Sequence, residues 1–227
     1  MTRCLRWMMC GTLIACFAAT GAPGAAEVRQ SDDVQLIKQL SAVWWQWALS
    51  IPAASNPLTF DDPEGAAAHC GVGQHGDVWF LGGSLTGGPA DRRCTLPAGK
   101  RIFFPVVNVE CSMIQGDGTS QAELRSCAGS MMDRVTSAEV WVDDIPLDPI
   151  RVASDMFTFT TPPGDINDAF GGAPNPSPAV SDGFWVLLEP LSEGPHTITF
   201  GGEVPLPSFT FRVEVNYAVE VVAAGVE

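Results

Sequence analysis

A mainly β fold is what the sequence predicts: an antiparallel β-sandwich or jelly-roll-like domain with an N-terminal helix and one inserted helix. Three observations predict it. From Phe209 to Val221 the chain alternates without a break. Phe209, Phe211, Val213, Val215, Tyr217, Val219 and Val221 share one parity, and Thr210, Arg212, Glu214, Asn216 and Glu220 share the other. That is a strand with one buried and one wet face. Further apolar runs follow one another across turn residues, with no strand–helix–strand rhythm. Clear helical periodicity over more than one turn is confined to two segments, 32–51 and 120–133.

The first helix is read from Val34, Ile37, Leu40, Trp44, Trp47, Ala48 and Ile51, which recur at three- and four-residue steps. Ser31 or Asp32 can cap its start, and Pro52 follows its end. Trp45 lies off the stripe. Trp44 and Trp47 are expected to plug a sheet face, with a sugar-stacking platform as the alternative. Residues 52–76 are irregular, with a short helical turn near Glu64–Ala68. Asp77–Leu81 is a short strand stopped by Gly82-Gly83, and Arg101–Cys111 is a stronger one in which Pro105 marks a bulge or an edge. The second helix opens on Ser120 and Glu123, the spacing of a capping box. Glu139–Val142, Met156–Thr160, Phe184–Leu188 and His196–Phe200 follow as strands. Asp143-Asp144 reads as a turn and the Pro- and Gly-rich stretch 162–182 as a long loop.

Residues 1–26 have the order of a cleavable export signal. Arg3 and Arg6 precede an apolar run from Trp7 to about Ala19, and small residues follow from Gly21 to Ala26. Cleavage before Glu27 is expected. The alternative is a lipobox, Leu13-Ile14-Ala15-Cys16, which would place a lipid anchor on Cys16. The remainder, 27–227, is expected to form a single domain that is secreted or periplasmic, with no transmembrane segment once the signal is removed. Loss of the signal removes two arginines and no acid, moving the formal charge from −14 to −16. Such a surface repels nucleic acid. Four cysteines remain: Cys70, Cys94, Cys111 and Cys127. An even count in an exported chain argues for two disulfides. Of three connectivities, Cys70–Cys94 and Cys111–Cys127 are expected, because they close the shortest loops.

Motifs of high specificity are absent. There is no metalloprotease helix motif, no phosphate-binding loop and no dinucleotide fingerprint. A Ser84, His196 and Asp182 triad can be written down, but nothing frames Ser84 as a nucleophile elbow. Asp165, Asn167 and Asp168 offer alternating oxygens, while Asp61, Asp62 and Glu64, and Asp143 with Asp144, form smaller acidic clusters. None matches a calcium-binding helix–loop–helix. No cofactor is expected, with a structural calcium ion as the alternative. His69 and His75 flank a Gly-rich loop without a third ligand. The informative pair is Asn108 and Glu110, which point to one face near the end of a strongly apolar strand. A carboxylate there is open to a raised pKa. Gln74, Trp79, Lys100 and His196 complete the candidate ligand set with Asn108 and Glu110. The partner expected is a glycan or another cell-envelope ligand.

Several segments also resemble a group of exported bacterial proteins without an assigned activity. They are Trp44-Trp45-Gln46-Trp47 through Pro52 and Asn56-Pro57, Cys70-Gly71-Val72-Gly73-Gln74 with Val78-Trp79-Phe80-Leu81, Pro97-Ala98-Gly99-Lys100 through Glu110, and Gly194-Pro195-His196-Thr197-Ile198 with Phe200-Gly201-Gly202. The resemblance implies that these segments belong to one domain and assigns no residue a role. Two functions are carried forward. One is a non-catalytic exported binding protein, glycan-directed. The other is a polysaccharide hydrolase or lyase with Glu110 as general acid or base.

Overall fold

The computed structural model describes residues 28–166 and 175–225. The segment expected as an export signal, with Cys16, and Asn167 and Asp168 lie outside the described residues. Two mixed sheets face each other, numbered here in chain order. The first contains β1 (Val78–Phe80), β3 (Arg101–Ser112), β8 (Ser177–Leu188) and β6 (Ile150–Ala153) in that spatial order, with β7 (Phe157–Phe159) also beside β8. The second runs β2 (Gly88–Pro97), β10 (Thr210–Val222), β9 (Gly194–Pro205), β4 (Ser137–Val142) and β5 (Ile145–Leu147). The mainly β sandwich is therefore the fold. No helix of the described residues is long and apolar enough to cross a membrane.

The sandwich interior joins Ile102, Phe104, Val186 and Leu188 of the first sheet to Phe200, Val215, Tyr217 and Val219 of the second. Phe104 and Phe200 meet at 4.9 Å. The opposite face of the first sheet is also covered. There Phe103, Trp185 and Leu187 receive Ile37, Leu40, Trp44 and Trp47 from helix α1 (Val34–Ser50). Phe103 and Trp185 stack at 5.1 Å, and Trp44 meets Trp185 edge-on at 5.8 Å. This double burial is why Arg101–Cys111 reads as an almost unbroken apolar run, whereas β10, with one face in water, alternates. Asp33 caps α1 by accepting from Leu36 N, one residue beyond the expected caps. A second, short helix, α2 (Pro63–His69), matches the expected turn. The third, α3 (Gln121–Met132), opens on the full capping box of Ser120 and Glu123.

Two features differ from the expected all-antiparallel, turn-linked order. β1 pairs with β3 in parallel, and β2 pairs with β10 in parallel. These partners are not successive in the chain, so no strand–helix–strand rhythm announces them. The tight turn after β2, where Gly99 takes φ 84°, carries the chain from the second sheet to the first. β2 itself gives no apolar stripe, because Arg92 occupies an inward position and is buried. The stretch 162–182 is also not loop throughout. β8 begins at Ser177, and its polar residues Ser177, Ser181 and Asp182 are buried on one face or the other of the covered sheet. Finally, Phe211, expected in the core, is only partly buried, and Phe209 is exposed, while Val215 is buried as expected. The start of β10 flanks a cavity as well as the packed interior.

The disulfides are Cys70–Cys94 and Cys111–Cys127, with Cα separations of 5.5 and 6.2 Å. The first ties the α2 region to β2. The second ties α3 to β3. On the chain-entropy account each loop closure contributes about 3 kcal/mol.

Candidate functional site

The geometry of the site begins with unequal strands. β1 pairs only with Arg101–Phe103, yet β3 continues to Ser112. Beyond Phe103 that edge of β3 has no strand neighbour among the described residues. Pro105 suits it, having no N–H to offer a further strand. The register against β8 slips between Pro105 and Val107, a bulge of the kind expected there. After the bulge Asn108 and Glu110 sit opposite Gly183 and Ser181, on the sheet face that α1 covers. Gly183 is required by closeness, since a Cβ there would lie 2.6 Å from the Asn108 Cβ and 3.0 Å from Trp185 Nε1.

A cavity of about 180 Å³ occupies this edge. Its walls come from Trp44 and Trp45 of α1, the segment Gly83–Leu85, Pro105–Glu110 of β3, and Phe211 and Val213 of β10, with Leu58 and Gln115 completing it. Glu110 is 6% exposed. Its Oε2 accepts from Gln115 Nε2 at 2.6 Å. Its Oε1 is buried with no partner at hydrogen-bonding distance and angle, the Ser112 hydroxyl interacting with the carboxyl only loosely, and Asn108 Nδ2, Ser84 Oγ and Trp45 Nε1 are likewise buried without partners. All four residues line the same cavity. Buried polar atoms are ordinarily paired, and each exception costs about 1–3 kcal/mol. Four such residues in the lining of one small cavity make it the candidate place for a polar ligand. Burial pushes the Glu110 carboxyl up to about 7; the Ser112 hydroxyl pulls against this, and the negative charge of Asp117 adds to it.

The walls are held by a residue that sequence reasoning passed over. Arg92 donates from Nη1 to Gly82 O at 2.8 Å and from Nη2 to Asp61 at 2.7 Å and to Leu58 O at 3.4 Å. The Tyr217 hydroxyl also donates to Gly82 O, at 3.1 Å. A buried arginine thus fixes Leu58 and the start of the loop bearing Ser84. The signal available was an arginine on the core parity of β2, readable only once β2 itself is recognised.

The other candidate residues lie elsewhere. Gln74 bonds Phe80 through both ends of its amide, at 2.8 and 2.9 Å, and so pins its loop to β1. Lys100 Nζ donates to Gly76 O. Trp79 packs partly against the sandwich interior. His196 lies on β9, its Nδ1 2.6 Å from Asp143 and its Nε2 2.9 Å from Ser192 O and 3.3 Å from Ser192 Oγ. Ser192, His196 and Asp143 have the order of an acyl-transfer triad. Yet Nε2 faces a carbonyl oxygen, an acceptor, so it is placed to donate rather than to take a hydroxyl proton. The Ser84, His196 and Asp182 alternative is not assembled, because His196 bonds Asp143 and Ser192 instead, while Asp182 is paired with Arg151 at 3.0 Å.

The acidic clusters have structural employment. Asp61 pairs with Arg92, and Asp62 caps α2. Asp143 and Asp144 form the expected turn between β4 and β5 with φ of 49° and 64°. Asp165 is buried. Cys111, Asp117 and Cys127 are close enough to hold an ion, but both sulfurs are committed to a disulfide. His69 stacks on Phe60 at 3.9 Å and bonds Gly65 O, and His75 is exposed. No protein-family model, curated protein or solved structure matches the chain.

Proposed function

We propose that the protein is an exported, non-catalytic binding protein, related to the group it resembles, that takes a polar cell-envelope ligand, a glycan, at the cavity around Glu110. The observation that carries this reading is that four residues, each with a buried polar atom lacking a partner in the protein, line one cavity. The tryptophans contribute differently from a stacking platform. Trp44, Trp47 and Trp185 are buried beneath or within the sheet, and Trp141 is the exposed one among the described residues.

The hydrolase or lyase reading draws on one observation, a carboxyl near neutrality. Ordinary glycoside hydrolysis uses two carboxylates. Glu110 is the only carboxylate among the described residues that line the cavity. Binding is therefore preferred.

On a glycan panel, the wild-type protein is expected to bind a restricted set of sugars, and Glu110→Gln to lose that binding without a fall in melting temperature. Turnover of a bound glycan by the wild type, abolished in Glu110→Gln, would replace binding with catalysis. Equal binding by both proteins would remove the site altogether. For export, N-terminal sequencing of the protein from an exporting host is expected to begin at Glu27, or to be blocked at a lipidated Cys16. An intact Met1 in that fraction refutes export with cleavage.

A further inference from the structure

The composition of the cavity narrows the ligand beyond a glycan in general, provided that the cavity binds a glycan as proposed. No Lys, Arg or His is among the described residues that line it. An anionic group would meet Glu110 with nothing to neutralise it, and Asp117 adds to the negative field there. Acidic sugars, sulfates and phosphates are thereby disfavoured.

The unpartnered atoms then specify hydrogen-bond roles. Trp45 Nε1 and Asn108 Nδ2 only donate, Glu110 Oε1 accepts, and the Ser84 hydroxyl does either. Leu58, Leu85, Val106, Val107 and Phe211 supply apolar wall. A lone ammonium would suit Glu110 but leave both N–H donors without an acceptor. It would also gain little from a carboxyl that burial brings close to half protonated at neutral pH. Size gives the remaining constraint. At about 180 Å³ the cavity is smaller than the roughly 300–1,000 Å³ that encloses a whole ligand. It suits a substituent that enters while the rest of the molecule stays outside.

We propose that the cavity takes the acetamido group of an N-acetylated sugar. The acetamido carbonyl accepts from the N–H donors of Trp45 and Asn108. Its N–H donates to Glu110 Oε1, and its methyl group lies against the apolar wall. One substituent thus supplies an acceptor, a donor and an apolar end to a space lined by their complements.

The test is a titration of the purified protein with the methyl glycosides of N-acetylglucosamine, N-acetylgalactosamine, glucosamine and glucose, followed by heteronuclear NMR or calorimetry. At least one N-acetylated glycoside is expected to bind tenfold or more tightly than glucosamine and glucose. Trp45→Phe keeps an aromatic ring in place and removes the indole N–H. It is expected to weaken that binding several-fold, and Glu110→Gln tenfold or more, with melting temperatures that do not fall. Equal affinity for acetylated and unacetylated sugars overturns the acetamido assignment, and tightest binding of glucosamine overturns it in favour of a cation. If none of the four binds, the assignment also falls. The underlying binding reading then stands or falls separately, on whether any glycan of the wider panel is held in a Glu110-dependent way.

Discussion

Trp185→Ala is expected to destabilise the protein by about 3–5 kcal/mol, the usual range for removing a large aromatic side chain from a packed interior. Trp185 is 0% exposed. It lies on Phe103 and against Trp44, at the junction between the first sheet and α1. Its loss would leave a hollow between two layers whose other side chains belong to rigid elements, so relaxation can fill little of it. Chemical denaturation measures the effect, with Trp141→Ala as a comparison, because Trp141 is 38% exposed on the second sheet. Similar small costs for both variants would contradict the described covering of the first sheet by α1.

The second large effect concerns Glu110 and pH. Its carboxyl titrates near 7 in the folded protein against an ordinary value of 4.5. Between these values the folded protein holds the proton more tightly than the unfolded chain does. The stability contributed by the protonated group is therefore fully present below pH 4.5 and is lost as pH rises through 7. The separation corresponds to about 3 kcal/mol. Glu110→Gln removes this dependence while preserving shape. Relative to wild type, the variant is expected to gain about 3 kcal/mol between pH 4 and pH 8, measured by urea unfolding at each pH. The comparison cancels the other titrating groups, which both proteins share. Stability curves that run parallel from pH 4 to pH 8 would show that Glu110 is solvated and not buried at the cavity.

The legible parts of this fold were those where one physical cause dominates the local pattern. β10 declares itself because a single face is wet, and α3 because Ser120 and Glu123 satisfy each other's backbone groups. The bulge at Pro105 and both disulfides were likewise readable from short-range constraints. What stayed hidden depends on distant partners. β2 is a strand whose inward Arg92 is tolerated only because Asp61, Tyr217 and Gly82 meet it there. The first half of β8 hides among prolines and serines whose pairing is supplied by β3 and β7. The site divides in the same way. Asn108 and Glu110 were found from parity within one strand. Trp45 and Ser84 were not, because only tertiary packing brings a helix and a loop to that edge. Gln74, Lys100 and His196 drew notice for their polarity, which serves loops and a turn instead.

The parallel pairing of β2 with β10 has a consequence for the order of assembly. Gly88–Pro97 finds its strand neighbour in Val213–Val222, the last strand among the described residues. A ribosome must therefore release the chain as far as Val222 before the second sheet can close. Until then β2 has no strand partner, and it is joined to the rest through its turn into β3, its disulfide and the bonds of Asp91 and Arg92 to Asp61. Pairings this remote in sequence form slowly. During that interval the unfinished edge is the place where two growing chains would join each other in error, and where a holdase would have most to shield.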